Sequence, residues 1–143
     1  MTRPQYETAA DRTREGKVAA AFATAFKDVV VSKLPYGDRA DFLLTQRGID
    51  AAYIEIKTRT CTSKTYATYH VSKDKLEALR DKAAADSLAP VLVVQWKDRI
   101  GFINVNEYLA AATFKQGGRW DRNDPYDVEE MAEVAIDKFQ FLP

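Results

Sequence analysis

Asp41, Glu55 and Lys57 are the residues whose types and spacing could do chemistry. They lie in "DFLLTQRGIDAAYIEIKTRT", residues 41–60, within two runs that otherwise read as core-facing strands. Charged side chains are seldom fully buried unless they are paired or hold a metal. Residues 39–46 and 51–58 read as a β-hairpin turning near Gly48, so that paired positions sum to about 96. Phe42 then faces Ile54, Ala40 faces Ile56 and Leu44 faces Ala52, forming one apolar face. On the other side Asp41 faces Glu55, and alternation along the strand puts Lys57 beside them. Directly opposed carboxylates have Cβ atoms roughly 4.5–5.5 Å apart and repel. A hard divalent cation such as Mg²⁺ supplies the missing counter-charge through carboxylate oxygens. It also polarises a phosphoryl oxygen and acidifies a bound water. Lys57 could hold the attacking water or neutralise charge developing on the phosphorane. These three residues are the parts for metal-assisted phosphodiester hydrolysis. The competing reading is a solvated hairpin face with ordinary ion pairs, worth about 0–1 kcal/mol each. Leu43 and Tyr53 share the face and weigh against that reading.

The surrounding elements must position this hairpin. Residues 5–27 predict a helix, with Val18, Phe22 and Ala25/Phe26 on one stripe. Glu15 falls on the same stripe, with Glu7 and Asp11 further along it, and Gly16 beside it could permit close approach of a backbone or ligand. "DVVVSKL" predicts a short strand, closed by a turn at Pro35 and Gly37. After the hairpin, "TCTSKTYATY" is a polar connection into an extended piece at "YHV". Ser72 is placed to cap a helix over 73–86 with Leu76, Leu79 and Ala83 inward. "APVLVVQW" predicts a central strand, and "KD" turns the chain into "RIGFINV". Asn106 is expected to cap a short helix through Ala112, "FKQGGRWDRNDPYD" to be a loop and "AEVAIDKFQFL" a closing strand.

With 143 residues the chain is expected to form a single domain, its core over about 5–105 and an extension over about 106–143. A composition of 46% hydrophobic and 29% charged residues is that of a globular protein. A net charge of zero argues against a protein that coats DNA non-specifically. Locally, Lys57, Arg59, Lys64, Lys73, Lys75, Arg80 and Lys82 outnumber Asp74, Glu77 and Asp81, a stripe that could bind phosphate or simply be a solvated helix face. From Asp121 onward acids dominate. No stretch approaches the roughly 20 apolar residues of a membrane span, and the N-terminal residues lack a signal peptide's apolar core. Cys61 stands alone, so an intracellular, cytoplasmic setting is expected. Cys61 and His70 are too few for a zinc site of the Cys/His kind.

Asp41 followed by "IEIK", with Glu55 and Lys57, resembles the PD-(D/E)XK nuclease superfamily, whose D-x(n)-E-x-K signature lies on a hairpin after an N-terminal helix. Ala40 stands where that family usually has proline. "YHVSKDKLEALRDKAAADSLAPVLVVQW" is similar to the helix and strand after the signature in archaeal-type Holliday junction resolvases and related phage or repair nucleases. The resemblance implies an α/β fold with a restriction-endonuclease-like α-β-β-β-α-β core, its mixed central sheet flanked by helices. It implies an Mg²⁺-dependent deoxyribonuclease, with Mn²⁺ able to substitute, that uses a metal-activated water in DNA recombination or repair. Asp41 and Glu55 would be metal ligands, Lys57 the charge-stabilising group, and Glu15 the accessory acid and further ligand, with Glu7 in reserve. Arg59 would contact the scissile strand, and Tyr66, Tyr69 and His70 lie where that family places substrate-facing groups. Lys64, Lys73 and Lys75 of the basic stripe complete the expected DNA contacts. A four-way junction, a flap, a duplex end and a specific sequence all remain open as substrate, and junction cutting would need a two-fold homodimer. A non-catalytic nucleic-acid- or protein-binding module with the same fold is the alternative from another class. An RNA-directed nuclease is the alternative within this one.

Overall fold

The computed structural model describes residues 9–35, 38–118 and 128–143. Helix α1 (Ala9–Thr24) leads into β1 (Val29–Lys33), β2 (Phe42–Gln46) and β3 (Ile49–Thr58). Next come β4 (Thr68–Ser72), α2 (Lys73–Ala85), β5 (Ala89–Gln95) and β6 (Ile100–Asn104). Helix α3 (Val105–Ala111), β7 (Thr113–Gly118), β8 (Val128–Ala135) and β9 (Gln140–Phe141) follow. The order α-β-β-β, then α2 and β5, is the expected core, with β4 inserted before α2.

A six-stranded sheet runs β1-β2-β3-β5-β6-β9, and a three-stranded one runs β4-β8-β7. Only β3 and β5 are parallel, as their helical crossover requires, so the central sheet is mixed. The β2–β3 pairing matches the hydrophobic register: Phe42 faces Ile54 and Leu44 faces Ala52. Nearer the turn a bulge shifts it, so that Thr45 pairs with Asp50 and Ala51 is the extra residue. Arg47 (φ 54°) and Gly48 (φ 78°) make the two-residue turn, and left-handed backbone at both positions suits the twist of a tight hairpin.

Alternation along β3 and β5 divides the core between the two faces of the main sheet. Val18, Ala19 and Phe22 of α1 pack on Phe42, Ile54, Ile56 and Val93. Leu76, Leu79 and Ala83 of α2, fully buried, pack on the other face with Leu92 and Val94. That second cluster takes in Tyr69 and Val71 of β4 and Ala132 and Val134 of β8. Helix α2 begins as expected: the Ser72 hydroxyl accepts from the Lys75 N–H and donates to Glu129. No helix among the described residues is long and apolar enough to cross a membrane.

Several expectations need correction. The cap of α3 is Asn104, whose Oδ1 accepts from the Asn106 N–H at 2.8 Å; buried Val105 already opens the helix. Phe114–Gly118, expected as the start of a loop, belongs to strand β7 (Thr113–Gly118), which pairs with β8, itself beginning at Val128. A Gly-Gly end reads locally as a turn, but a distant partner strand decides the outcome. Ala40 joins the α2-side cluster rather than facing Ile56, because the chain leaves the sheet before Phe42. Helix α1 stops at Thr24, and Phe26 is 39% exposed with its ring against Phe22 and Phe102. A Cβ on Gly16 would meet open space, so that glycine serves no close approach within the described chain. Glu7, Gly37, Trp120 and the acids from Asp121 to Asp127 lie outside the described residues.

Candidate active site

Asp41 sits just before β2 and is fixed at three points. Its N–H donates to the Ile54 carbonyl (2.9 Å), its carbonyl accepts from Leu34 N–H (3.0 Å), and its Oδ2 accepts from Ile56 N–H (2.9 Å). The carboxylate thus replaces the backbone partner that Ile56 would otherwise find in β2. The approach to Asp41 is braced from α2. Lys82 pairs with Asp38 at 3.2 Å and lies over the Tyr53 ring at 4.6 Å, and Asp38 accepts from Ala40 N–H. Tyr53 donates to Asp86 at the end of that helix, which pushes its own pKa up to about 12.

Glu55 and Lys57 stand on the same face of β3, toward the α2 side, with Lys57 Nζ 3.2 Å from Glu55 Oε1. The Glu55 side chain is 11% exposed and that of Lys57 28%. Burial first, and then the Glu55 charge, raise the Asp41 pKa, although Ile56 N–H, Lys57 and Lys33 pull it down. Burial works against the charge on Lys57, but the Glu55 and Asp41 carboxylates outweigh it and raise its pKa above the ordinary lysine value. The two carboxylates therefore share Lys57, and although Lys33 also bears on Asp41, burial and mutual repulsion prevail there and the pair remains short of positive charge.

That shortage is what a hard divalent cation relieves. Among the described residues no group of three or more Asp, Glu, His or Cys side chains is gathered to hold a metal. Asp41 and Glu55 alone still fit Mg²⁺, which binds through one or two carboxylates and keeps several waters. Glu15 lies apart from them. It projects from α1, which covers the opposite face of the sheet, and its carboxylate pairs with Lys33 at 3.7 Å. Lys33 lies over the Phe42 ring and is near enough to Asp41 to lower its pKa, so one cation serves both acids. Sequence reasoning missed Lys33, and the only signal for it was a charge at the end of an apolar strand.

The expected substrate contacts separate into distinct groups. Arg59 continues β3, its N–H donating to Gln95 and its guanidinium donating to the His70 carbonyl. Lys64 and Tyr66 are exposed on the loop after β3, Tyr66 to 66%. That loop is pinned by Ser63, which binds Asp98 through both its N–H and its hydroxyl and accepts from Arg99. Tyr69 is 3% exposed, so it cannot present its ring to a base. His70 is exposed on β4, and burial together with Arg59 and Lys115 lowers its pKa. Lys73 is bound to Glu130 at 2.9 Å and Arg80 to Asp81 at 3.1 Å, which moves both toward the solvated-face reading, while Lys75 is exposed.

The fold is similar to that of solved nucleases. The Holliday junction resolvase Hjc of the archaeal hyperthermophile Archaeoglobus fulgidus superposes with a TM-score of 0.59 at 13% identity, covering 89% of this chain and 85% of its own. A nuclease from a fusellovirus gives a TM-score of 0.57 at 13% identity, over 98% of this chain and 90% of its own. No curated protein sequence matches. A family model described as "Phage putative PDDEXK endonuclease" matches residues 1–142, and on that span the chain belongs to the phage PDDEXK endonuclease family.

Proposed function

We propose that the protein is an Mg²⁺-dependent deoxyribonuclease that hydrolyses internal phosphodiesters by direct attack of water. The observation that carries this reading is the gathering of Asp41, Glu55 and Lys57 on one face of the hairpin, with Asp41 held by the Ile56 N–H. Asp41 and Glu55 would hold the ion. When bound, the ion supplies Lewis acidity to the phosphoryl oxygen and to a water. The remaining work falls to the chain. Ile56 N–H fixes one Asp41 oxygen and so aims the other. Lys57 would orient the attacking water and answer the charge that builds on the phosphoryl oxygens. Glu15, on the opposite face, would bear on the site only through Lys33, the cation it shares with Asp41. Arg59, Lys64 and Tyr66, beyond the end of β3, would carry the DNA strand across the site.

The likeness to a Holliday junction resolvase lies in the fold, and it makes four-way junctions the first substrate to try. Cutting both strands of a junction symmetrically would require a two-fold homodimer. The test compares wild type with Lys57→Ala on junction, flap and linear duplex DNA, in Mg²⁺ and in chelator. Wild type should cleave only with the metal. Lys57→Ala should fold and bind DNA but lose about 10²–10³ in rate, as expected when one transition-state stabiliser is removed. Cleavage by Lys57→Ala within a few-fold of wild type would overturn the assignment. DNA binding without cleavage by wild type would instead support the non-catalytic module.

A further inference from the structure

Two turns meet beyond the ends of the parallel strands β3 and β5, and hydrogen bonds clasp them together. The first, residues 62–65, is closed by the Thr65 N–H on the Thr62 carbonyl at 3.2 Å. The second, residues 96–99, joins β5 to β6 and is closed by the Trp96 N–H on the Arg99 carbonyl at 2.9 Å. Ser63, 4% exposed, ties them. Its N–H and its hydroxyl donate to the two Asp98 oxygens at 2.7 and 2.6 Å, and its Oγ accepts from Arg99 Nε at 2.9 Å. The Lys97 N–H adds a bond to the Cys61 carbonyl at 3.1 Å. The Arg99 guanidinium also lies over the Phe141 ring, 3.5 Å from its centroid. A buried hydroxyl that both donates and accepts leaves the two turns fixed as one body.

The clasp decides which charges stay available. Asp98 spends both oxygens on Ser63 and stands 4.0 Å from Arg99, so these two opposite charges answer each other. Lys64 and Lys97, one on each turn, are exposed, and neither ammonium has a carboxylate partner among the described residues. By contrast Lys73, Lys82 and Lys115 each have an acid within 3.2 Å. Lys57 pairs with Val94, and the Arg59 N–H reaches Gln95 at 2.7 Å, so the clasped turns continue the strands that carry the candidate active site. From Lys57 to Cys61 the chain can span at most about 14 Å. Successive phosphates of one DNA strand advance about 3.4 Å along the duplex axis. We propose that Lys64 and Lys97 form a phosphate-binding site for the DNA backbone about four nucleotides from the scissile bond, held in shape by the Ser63–Asp98 clasp. This adds Lys97 to the nucleic-acid surface and makes Ser63 and Asp98 positioning residues. Its distance from the cut rests on the nuclease reading above.

The test is DNA binding in chelator, read by fluorescence anisotropy of a labelled linear duplex over a range of salt concentrations. Lys64→Ala/Lys97→Ala should bind about tenfold more weakly at low salt, and the magnitude of its log–log slope should fall by about 2. Lys27→Ala/Arg47→Ala removes the same charge beside the hairpin turn, at the opposite end of β3, and should keep the wild-type slope. Ser63→Ala changes no charge. It frees one Asp98 oxygen to pair with a lysine, and should therefore lower the slope by about 1. Replacing single phosphates by neutral methylphosphonates reads the position. The one about four nucleotides from the cut should weaken binding by wild type and not by Lys64→Ala/Lys97→Ala. A wild-type slope in Lys64→Ala/Lys97→Ala would overturn the site. An equal loss in Lys27→Ala/Arg47→Ala would overturn it too, showing attraction by net charge alone. A wild-type slope in Ser63→Ala would overturn the role of the clasp. Cleavage in Mg²⁺ separates these failures from that of the nuclease reading. If wild type cuts DNA while Lys64→Ala/Lys97→Ala keeps its slope, only the phosphate site falls. If the slope falls as expected and wild type never cuts, the phosphate site stands and the nuclease reading falls.

Discussion

Asp41 works against the stability of the metal-free protein, and that cost can be measured. Burial and then the Glu55 charge raise its folded pKa above the unfolded value. For a carboxyl raised in this way, the stability it contributes is fully present below the unfolded pKa. That contribution is lost as pH rises through the folded pKa. Asp41→Asn keeps an acceptor for the Ile56 N–H and removes the charge. Without metal at pH 7 the variant should melt a few degrees higher than wild type, as about 1 kcal/mol would give for a chain of this size. The difference should shrink below about pH 4, where aspartate is itself neutral. Mg²⁺ should raise the melting temperature of wild type, by mass action on the folded state, and leave the variant little changed. Equal melting of the two proteins at pH 7, with and without Mg²⁺, would mean that Asp41 carries neither strain nor a metal. The three central charges were legible in the sequence because alternation along a strand puts residues 55 and 57 on one face. The hydrogen bond from Ile56 to Asp41, the Lys33 link and the burial of Tyr69 were not, since each depends on a segment distant in sequence.

At the scale of elements, hydrophobic period carried most of the fold. Leu76, Leu79 and Ala83 are fully buried, and the Ser72 cap and the Phe42–Ile54 register stand as the patterning implied. What local pattern could not supply was pairing over distance: the bulge at Ala51, and a strand at Thr113–Gly118 that exists through its partner β8. The basic stripe shows the same limit, because charge counted along one helix ignores the acids brought to it. Lys73 meets Glu130 of β8, and Arg80 meets Asp81 and Glu77. Arg59 and Lys64 instead lie on the exposed run after β3. Neutralising Arg59 and Lys64 together should reduce the log–log salt slope of DNA binding by about 2. Neutralising Lys73 and Arg80 should leave the slope nearly unchanged. The opposite ranking in a titration at several salt concentrations would place the DNA along α2 instead of the loop.

For the molecule as a whole, several described residues after 105 belong to the core that supports the site. Tyr108, Ala132, Val134, Ile136 and Phe139 share one cluster with Leu79, Leu92 and Val94, and β8 reaches both Ser72 and Lys73 at the start of α2. Tyr108 is the tie. Its fully buried hydroxyl lies 3.0 Å from the carbonyl of Tyr69 and 2.7 Å from that of Ala132, joining β4 to β8. Burial pushes its pKa well above the ordinary tyrosine range, so the proton stays in place through any working pH. Tyr108→Phe should preserve the ring packing and leave those carbonyls without this donor, at a cost of about 1–3 kcal/mol. The melting temperature should drop by several degrees, while cleavage at 25 °C stays within a few-fold of wild type. If Tyr108→Phe instead reduced kcat about tenfold or more with no loss of stability, the small sheet would be tuning the chemistry rather than bracing it.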